Sequence, residues 1–211
     1  MRKRPARVAL TTVLVASIAV TVALGLAACG SLSSATSSPL ASGLMMNTLD
    51  DSNGAFSIRY PADYIKLQPS PDHSKDPGLV DQVFLANPKG ARQAGSALDV
   101  LSITVRRLSK PSKPGDLKKH RSEFEAIATE LIGKPSGLTL VTPFALAKLG
   151  GLPALRVDYI FKVSGTDMAS VAYLVPDGDR VYWVAAQASK GTWGTSGSEM
   201  AVSLATFSVS R

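Results

Sequence analysis

The sequence predicts an α+β fold, an antiparallel β-sheet with helices packed on it. Alternating apolar residues mark strands on both sides of one helical segment, 116–132, and a second helical pattern closes the chain. The length of 211 residues allows one domain with a tail and is too short for two large cores.

The first half of the domain is predicted to form strands. In the segment 54–61, apolar residues alternate with polar ones, which is typical of a half-buried strand, and Pro61 ends it. Loops are expected at 68–78 and 87–95, where prolines, glycines and mixed charges concentrate. Further strands are predicted at 64–67, 80–86 and 98–108.

A long helix is predicted at 116–132. Asp116 follows a break at 110–115 that is rich in Lys and Pro, and its carboxylate is expected to cap the first turn. Apolar residues then recur at helical spacing with charges between them. Gly133 and Pro135 are expected to end the helix.

Strands and a second helix are predicted after this first helix. A hairpin turn is expected at Pro176-Asp177-Gly178-Asp179, because Pro presets a turn angle and Gly accepts a positive φ. Ser196 and Glu199 have the spacing of a capping box at the start of a terminal helix. The strands are predicted at 138–146, 154–163, 168–175 and 180–188.

The first 28 residues are predicted to be an export signal. Four basic residues precede an apolar run from residue 8 to residue 28 that contains no charge. The run is also long enough for a retained membrane anchor, which is the alternative. Both interpretations place the rest of the chain outside the cytoplasmic membrane, by the positive-inside rule. Without this segment the net charge falls from +7 to +3, which is weak support for a nucleic-acid partner.

The end of this run resembles a bacterial lipobox, formed by Leu26, Ala27, Ala28, Cys29 and Gly30. The resemblance implies cleavage before Cys29 and a diacylglycerol, with fatty acids such as palmitate, on its sulfur. The alternative is a free cysteine beside a membrane helix. Because Cys29 is the only cysteine, an internal disulfide is excluded.

The chain is therefore predicted to have three parts. They are a lipoprotein signal peptide at 1–28, a lipidated N-terminus with a flexible, Ser-rich tether at 29–50, and one domain at 51–211. We expect the mature protein at the cell membrane, anchored by the lipid on Cys29 and facing the extracytoplasmic side.

Four segments of the domain carry a resemblance to a known fold. They are FSIRYPADY at 56–64, GGLPALRVDY at 150–159, VYWV at 181–184 and the stretch 200–209. In this order they resemble the PsbP-like fold family, and with the lipobox and tether the chain is similar to actinobacterial lipoproteins of the LpqN type. The resemblance implies an α/β/α sandwich and a role in binding or assembly, without a catalytic motif.

The sequence shows no pattern of catalytic, cofactor-binding or metal-binding residues. It lacks the G-x-S-x-G elbow of serine hydrolases, the Walker and G-x-G-x-x-G phosphate loops and a calcium loop. The two histidines, His73 and His120, are expected on the surface, and with one Cys they are too few for a standard structural zinc site. We therefore expect a protein that is not an enzyme and that has no cofactor or metal.

Five aromatic residues lie on the predicted C-terminal strands. Tyr159, Phe161, Tyr173 and Trp183 have the same parity, which favours burial beneath a helix. Tyr182 has the opposite parity and is expected to face outward. An exposed sheet face, or a pocket at its edge, is the expected site for a ligand or partner.

These features predict a non-enzymatic adaptor or accessory binding module with a protein partner in the cell envelope. The alternative is a carrier of lipid or small apolar ligands, which would need an enclosed apolar cavity. A flat apolar patch with a basic rim would favour the adaptor. The basic residues between 89 and 121 form either a face toward anionic headgroups or a solubilising surface. Aromatic residues do not interleave with them, so no nucleic-acid partner is expected.

Overall fold

The computed structural model describes residues 44–69, 72, 76–113 and 115–210. The predicted signal peptide, the segment that resembles a lipobox and most of the predicted tether lie outside these residues. The helices of the described part are α1 (Asp116–Lys119), α2 (Arg121–Ile132) and α3 (Ser198–Ala205), and a π-helical turn, Trp193–Gly197, precedes α3. The strands are β1 (Met46–Asp51), β2 (Phe56–Pro61), β3 (Ile65–Leu67), β4 (Leu79–Ala86), β5 (Arg92–Gln93), β6 (Ser96–Ala97), β7 (Val100–Ser112), β8 (Ser136–Leu149), β9 (Leu152–Val163), β10 (Thr166–Ser189) and β11 (Ser208–Val209).

The main sheet is antiparallel and has the strand order β3-β4-β7-β10-β9-β8. A smaller sheet has the order β1-β2-β11, and β5 pairs with β6 in a short ladder. The predicted α+β class is confirmed. β7 is longer than predicted, because it continues to Ser112 through part of the expected break at 110–115.

β10 is a hairpin whose two arms lie side by side. Residues 166–174 pair with β9, whereas residues 180–187 pair with β7. The amide of Lys190 donates to the carbonyl oxygen of Asp167 at 2.9 Å, although a straight strand of this length would hold them about 75 Å apart. The midpoint between them falls at Gly178 and Asp179, and Gly178 has a φ of 56°. The predicted turn is therefore confirmed.

The main sheet separates two apolar cores. The first core lies between the sheet and a layer formed by α3 and the small sheet, and it includes Phe56, Ile58, Tyr182, Met200 and Phe207. The second core lies beneath α1 and α2, and it includes Leu117, Phe124, Ala128, Leu155 and Trp183. Helices therefore cover both faces of the sheet, as the predicted sandwich requires.

The predicted helix 116–132 is in fact two helices. The backbone leaves helical geometry at His120, with φ −113° and ψ 35°, so α1 ends after four residues. Asp116 is the first residue of α1 rather than its cap, and its carboxylate accepts from the amide of Lys113 at 2.8 Å. Gly133 ends α2 as predicted, with a φ of 71°. Within the described residues, none of the helices has the length and apolar character needed to cross a bilayer.

The domain begins earlier than predicted. The segment 46–50, assigned to the tether 29–50 from the sequence, belongs to β1, which pairs antiparallel with β2 over its whole length. Leu49 is only 6% exposed and packs in the first core. Leu49 is the only buried apolar residue of β1. The sequence of β1 therefore shows no alternation of apolar and polar residues that would predict a strand.

The start of α3 also differs from the prediction. Ser196 lies within the π-helical turn, and its hydroxyl donates to the carboxylate of Asp99 at 2.7 Å rather than capping a helix. Glu199 accepts a hydrogen bond from the hydroxyl of Tyr64 at 3.2 Å. The capping-box prediction is therefore wrong, because tertiary partners take up both side chains.

Candidate functional site

Among the residues that the structure describes, the largest group of exposed apolar side chains lies on β8, which forms one edge of the main sheet. The sequence from Pro135 to Ala147 contains no charged residue. Large apolar side chains on an edge strand normally carry a risk of aggregation unless a partner covers them. Four of them, which we call the β8 strip, are 37–47% exposed: Leu138, Leu140, Val141 and Leu146.

The β8 strip extends the second core outward past α2. Leu140 lies opposite Tyr159 and Leu146 lies opposite Leu155, and both β9 partners belong to that core. Phe144 is half-buried against the same core, and its carbonyl oxygen accepts from the guanidinium of Arg121 at the start of α2. Several residues of β9, such as Leu155 and Val157, are therefore buried beneath the helices, while apolar side chains of β8 stay partly open to solvent.

The backbone of β8 is irregular. Its pairing with β9 shifts register at three places, between Ser136 and Thr139, between Leu140 and Thr142, and between Thr142 and Ala145. Pro143 has no amide hydrogen. Bulges and proline both oppose the addition of another strand at a sheet edge. The exposed side chains, rather than the backbone edge, are what this strand offers to a partner.

Cationic side chains surround the β8 strip. Lys134 and Lys148 bracket the uncharged stretch, both are exposed, and neither forms an ion pair with any residue that the structure describes. Lys162 lies opposite Ser136 and pairs with Asp167 at 3.3 Å. The nearby carboxylate of Asp158 is buried and bonded to Arg156 at 2.8 and 2.9 Å. The charge presented around the strip is therefore positive.

The opposite edge of the main sheet exposes less apolar surface. β3 has three residues, of which Ile65 and Leu67 are 49% and 53% exposed, with Lys66 between them. Two exposed apolar side chains on a three-residue strand are ordinary for a protein surface. β3 therefore provides a matched comparison for β8.

The basic residues predicted between 89 and 121 do not act as one free surface. Lys89 pairs with Asp63 at 2.7 Å, and Arg106 lies between Asp76 and Glu130, at 3.1 and 2.8 Å. Other basic residues of the set lie near the end of β7 and on α1 and form no ion pair within the described residues: Lys110, Lys113, Lys118 and Lys119.

The aromatic residues face the two cores rather than a binding surface. Trp183 and Tyr159 lie beneath α2 as predicted. Tyr182 is buried, not exposed, because α3 and the small sheet cover the opposite face, where its ring lies 5.7 Å from that of Phe207. Tyr173 packs on that same face, so it does not share a face with Tyr159 and Trp183 as their common parity predicted.

A buried polar cluster joins the π-helical turn to the main sheet. Asp99 is fully buried and accepts from the hydroxyl of Ser196 and, at 3.0 Å, from the amide of Ser189. The side-chain amide of Asn87 donates to the Ser196 hydroxyl at 3.1 Å. The Asp99 carboxylate and the Ser196 hydroxyl are thus hydrogen-bonded and buried, and we call this structural contact the Asp99–Ser196 latch. His120 is partly exposed beside Glu123, and His73 lies outside the described residues.

A second buried cluster contains two carboxylates. Asp51 at the end of β1 and Asp81 on β4 are both buried, and the side-chain amide of Gln68 donates to each of them. No group of three or more His, Cys, Asp or Glu side chains that could hold a metal occurs within the described residues. The pair joins the small sheet to the main sheet.

One small cleft lies where the β10 turn approaches α1. Its volume is about 60 Å³, far below the several hundred Å³ of a typical ligand pocket. The residues that line it are Ser112, Lys113, Gly115, Leu117, Leu152, Pro153, Pro176 and Asp177. It could hold a few water molecules but not an acyl chain.

Sequence reasoning located β8 as a strand at 138–146 but did not identify it as a surface. The signal was present, because thirteen consecutive uncharged residues between two lysines are unusual for an edge strand. Strand order decides which strand is an edge, and the order could not be read from alternation. The predicted site residues Leu26, Ala27, Ala28, Cys29 and Gly30 lie outside the described residues.

Comparisons with known proteins inform the fold. No family model matches the chain, and no curated protein matches it. The chain is similar to the solution structure of cyanobacterial PsbP from Synechocystis sp. PCC 6803, with 13% identity and a TM-score of 0.55. That match covers 87% of this chain and 98% of the cyanobacterial one. The chain therefore has a PsbP-like fold, as the sequence resemblance implied.

Two further solved structures are similar at low identity. A protein from Bacteroides thetaiotaomicron VPI-5482 has 15% identity and a TM-score of 0.50, and the match covers 78% of this chain and 48% of that one. This chain thus spans about half the length of the Bacteroides protein. LpqN of Mycobacterium tuberculosis, which is involved in cell envelope biogenesis, has 14% identity, a TM-score of 0.49 and coverage of 80% and 92%.

Proposed function

We propose that this protein is a membrane-anchored lipoprotein of the cell envelope whose extracytoplasmic domain is a non-enzymatic accessory binding module. The observation that carries the binding role is the β8 strip, an exposed and uncharged run of apolar side chains. Apolar surface of this kind on a folded domain marks an interaction site. The buried polar clusters described above offer no accessible reactive group.

The proposed anchor is supported by the sequence around Cys29. A basic start, an uncharged apolar run and the small residues before Cys29 follow one another in the order that export and lipidation require. Two or more acyl chains give stable membrane attachment, because each buried CH₂ contributes roughly 0.8 kcal/mol. An anchored domain meets membrane-bound partners at high effective concentration, so weak contacts suffice.

The carrier alternative receives no support from the described residues. Transport of a lipid or another apolar ligand needs a cavity that encloses most of the ligand. The cleft between the β10 turn and α1 is about 60 Å³. The two cores are filled by large buried side chains such as Phe56 and Leu155. We therefore propose the accessory module alone.

The test is crosslinking in living cells with a lysine-reactive reagent, followed by mass spectrometry of the captured peptides. The described domain offers exposed lysines on several sides, including Lys118 on α1 and Lys66 on β3. The proposal predicts reproducible crosslinks to one envelope protein or complex, lost in the Cys29→Ser variant. Capture of no protein from intact cells at any lysine would contradict the binding role.

A further inference from the structure

We propose that the β8 strip seats the domain on the surface of an anionic lipid bilayer. This inference rests on the lipid anchor of the proposed function and adds the orientation in which the anchored domain sits. The strip then serves the binding role by holding the domain against the membrane, beside membrane-bound partners.

The shape of the β8 strip suits a planar surface. Its exposed apolar residues, Leu138 to Leu146, follow an extended strand rather than lining a concave site. The uncharged stretch of thirteen residues spans about 40 Å at the usual rise of a strand. A long and narrow apolar surface can insert shallowly among the headgroups along its whole length.

The backbone of β8 argues against an added strand from another protein. A regular partner strand needs an uninterrupted row of free amides and carbonyls. The three register shifts and Pro143 interrupt that row within the exposed stretch. What remains for recognition is apolar side-chain surface, and a bilayer requires no hydrogen-bond register.

Charge selects anionic lipid over a second copy of this chain. If two β8 strands met in an antiparallel pair about their centres, Lys134 of one copy would approach Lys148 of the other, and the two would repel. Anionic headgroups would instead neutralise both lysines, which form no ion pair within the described residues. Lysines at both ends of an apolar strip are complementary to a negatively charged membrane surface.

The anchor brings the strip within reach of the bilayer. Sixteen residues separate Cys29 from β1, and an extended chain of that length reaches at most about 55 Å. The domain is therefore confined near the membrane before the strip makes any contact. Under that confinement, a contact too weak to hold a free domain is enough to orient it.

The test places an environment-sensitive fluorophore at two matched positions of the full lipidated protein. Leu140→Cys puts it on β8, and Leu67→Cys puts it on the opposite edge at similar exposure, 45% and 53% for the native side chains. The protein is reconstituted into vesicles of phosphatidylcholine with or without phosphatidylglycerol. Acylated Cys29 does not take the label, and thermal unfolding confirms that both variants fold.

The proposal predicts a blue shift at residue 140 in anionic vesicles, with quenching by lipids that carry a quencher in the upper acyl chain. It predicts neither change at residue 67, and loss of the blue shift at 140 when Lys134 and Lys148 are both changed to Glu. An aqueous spectrum at residue 140 in anchored protein overturns the inference and leaves the anchor intact. A shift at 140 in native envelope membranes but not in protein-free vesicles overturns it in favour of a protein partner.

Labelling of Cys29 itself, with the protein remaining in the supernatant, is the separate result that overturns the anchor and, with it, this inference. A shift of equal size at residues 67 and 140 also overturns it, because the strip would then have no special orientation.

Discussion

Asp51 and Asp81 share the side-chain amide of Gln68, whose Nε2 lies 2.8 Å from Oδ2 of Asp51 and 3.1 Å from Oδ2 of Asp81. Burial raises the pKa of Asp81, and the adjacent Asp51 carboxylate raises it further. Burial opposes ionisation of Asp51 as well, but the amide of Gly54 and the neighbouring side chains together lower the pKa of Asp51. Asp81 therefore keeps its proton to a higher pH than Asp51 does, and a neutral Asp81 avoids repulsion between the two carboxylates.

This arrangement predicts that Asp81→Asn stabilises the domain at neutral pH. Because the pKa of Asp81 is raised on folding, its favourable contribution is present below the unfolded pKa of about 3.9 and is lost as pH rises through the folded pKa. An amide at this position keeps a donor toward Asp51 and never ionises. Thermal unfolding at pH 7 should show a gain in Tm of about 2–4 °C, which corresponds to ~1 kcal/mol at this chain length.

The gain should disappear below pH 3.5, where Asp81 is protonated in the unmodified protein. Asp50→Asn is the control for loss of a surface carboxylate, because Asp50 is the exposed neighbour of Asp51 on β1 and its replacement should leave Tm nearly unchanged. If the Tm of Asp81→Asn at pH 7 is no higher than that of the unmodified protein, ionisation of Asp81 beside Asp51 does not destabilise the domain.

Replacing Asp99 should destabilise the domain by leaving buried polar groups without a hydrogen-bond acceptor. Asp99→Ala leaves the amide of Ser189 and the hydroxyl of Ser196 without their acceptor inside the protein, and each buried unsatisfied group costs about 1–3 kcal/mol. Urea unfolding should show a loss of about 2–4 kcal/mol. Ser198→Ala, in the next turn, removes only an exposed bond to Gly194 and should stay within about 0.5 kcal/mol. Equal losses in both variants would refute the latch.

The β8–β9 turn provides a matched pair of glycines. Gly150 and Gly151 both have positive φ, 54° and 84°, but only at Gly150 would a Cβ overlap the carbonyl oxygen of Phe207. Gly151→Ala should cost about 1–2 kcal/mol in backbone strain alone. Gly150→Ala should cost at least about 2 kcal/mol more, because the C-terminal segment must move. Similar unfolding midpoints in urea for the two variants would contradict the close approach.

The corrected start of the domain is testable with two neighbouring apolar residues. Leu49 is 6% exposed and Met45 is 79% exposed. Leu49→Ala should lower the free energy of unfolding by about 2–3 kcal/mol, whereas Met45→Ala should change it by less than about 0.5 kcal/mol. If denaturant unfolding shows no difference between them, β1 contributes nothing and the domain begins near residue 51 as the sequence suggested.

Local chemistry predicted most of the secondary structure. Leu101, Ile103 and Val105 alternate on β7 and are all fully buried on one face, because a strand with one core face needs that period. Gly133 ends α2 and Gly178 turns β10, since both positions need a positive φ. These features depend on residues within a few positions of one another, so the sequence displays them.

Features that depend on distant contacts were missed. β1 forms because β2 and the first core receive it, and Leu49 alone carries no periodic signal. Tyr182 is buried because α3 and the small sheet cover its face of the main sheet. The alternation of residues along β10 does not show that this face is covered. The β8 strip became visible only with the strand order, which places β8 at an edge.

The central claim is that the chain is anchored by lipid on Cys29, and the intact mass of the mature protein tests it most directly. The protein is purified from the membrane fraction of the source cells, and its N-terminal peptide is sequenced by mass spectrometry. We predict that the chain begins at Cys29 and carries a diacylglycerol with at least two acyl chains, and that Cys29→Ser yields an unlipidated chain. A mature protein that keeps residues 1–28, or that begins elsewhere with an unmodified Cys29, would contradict the account.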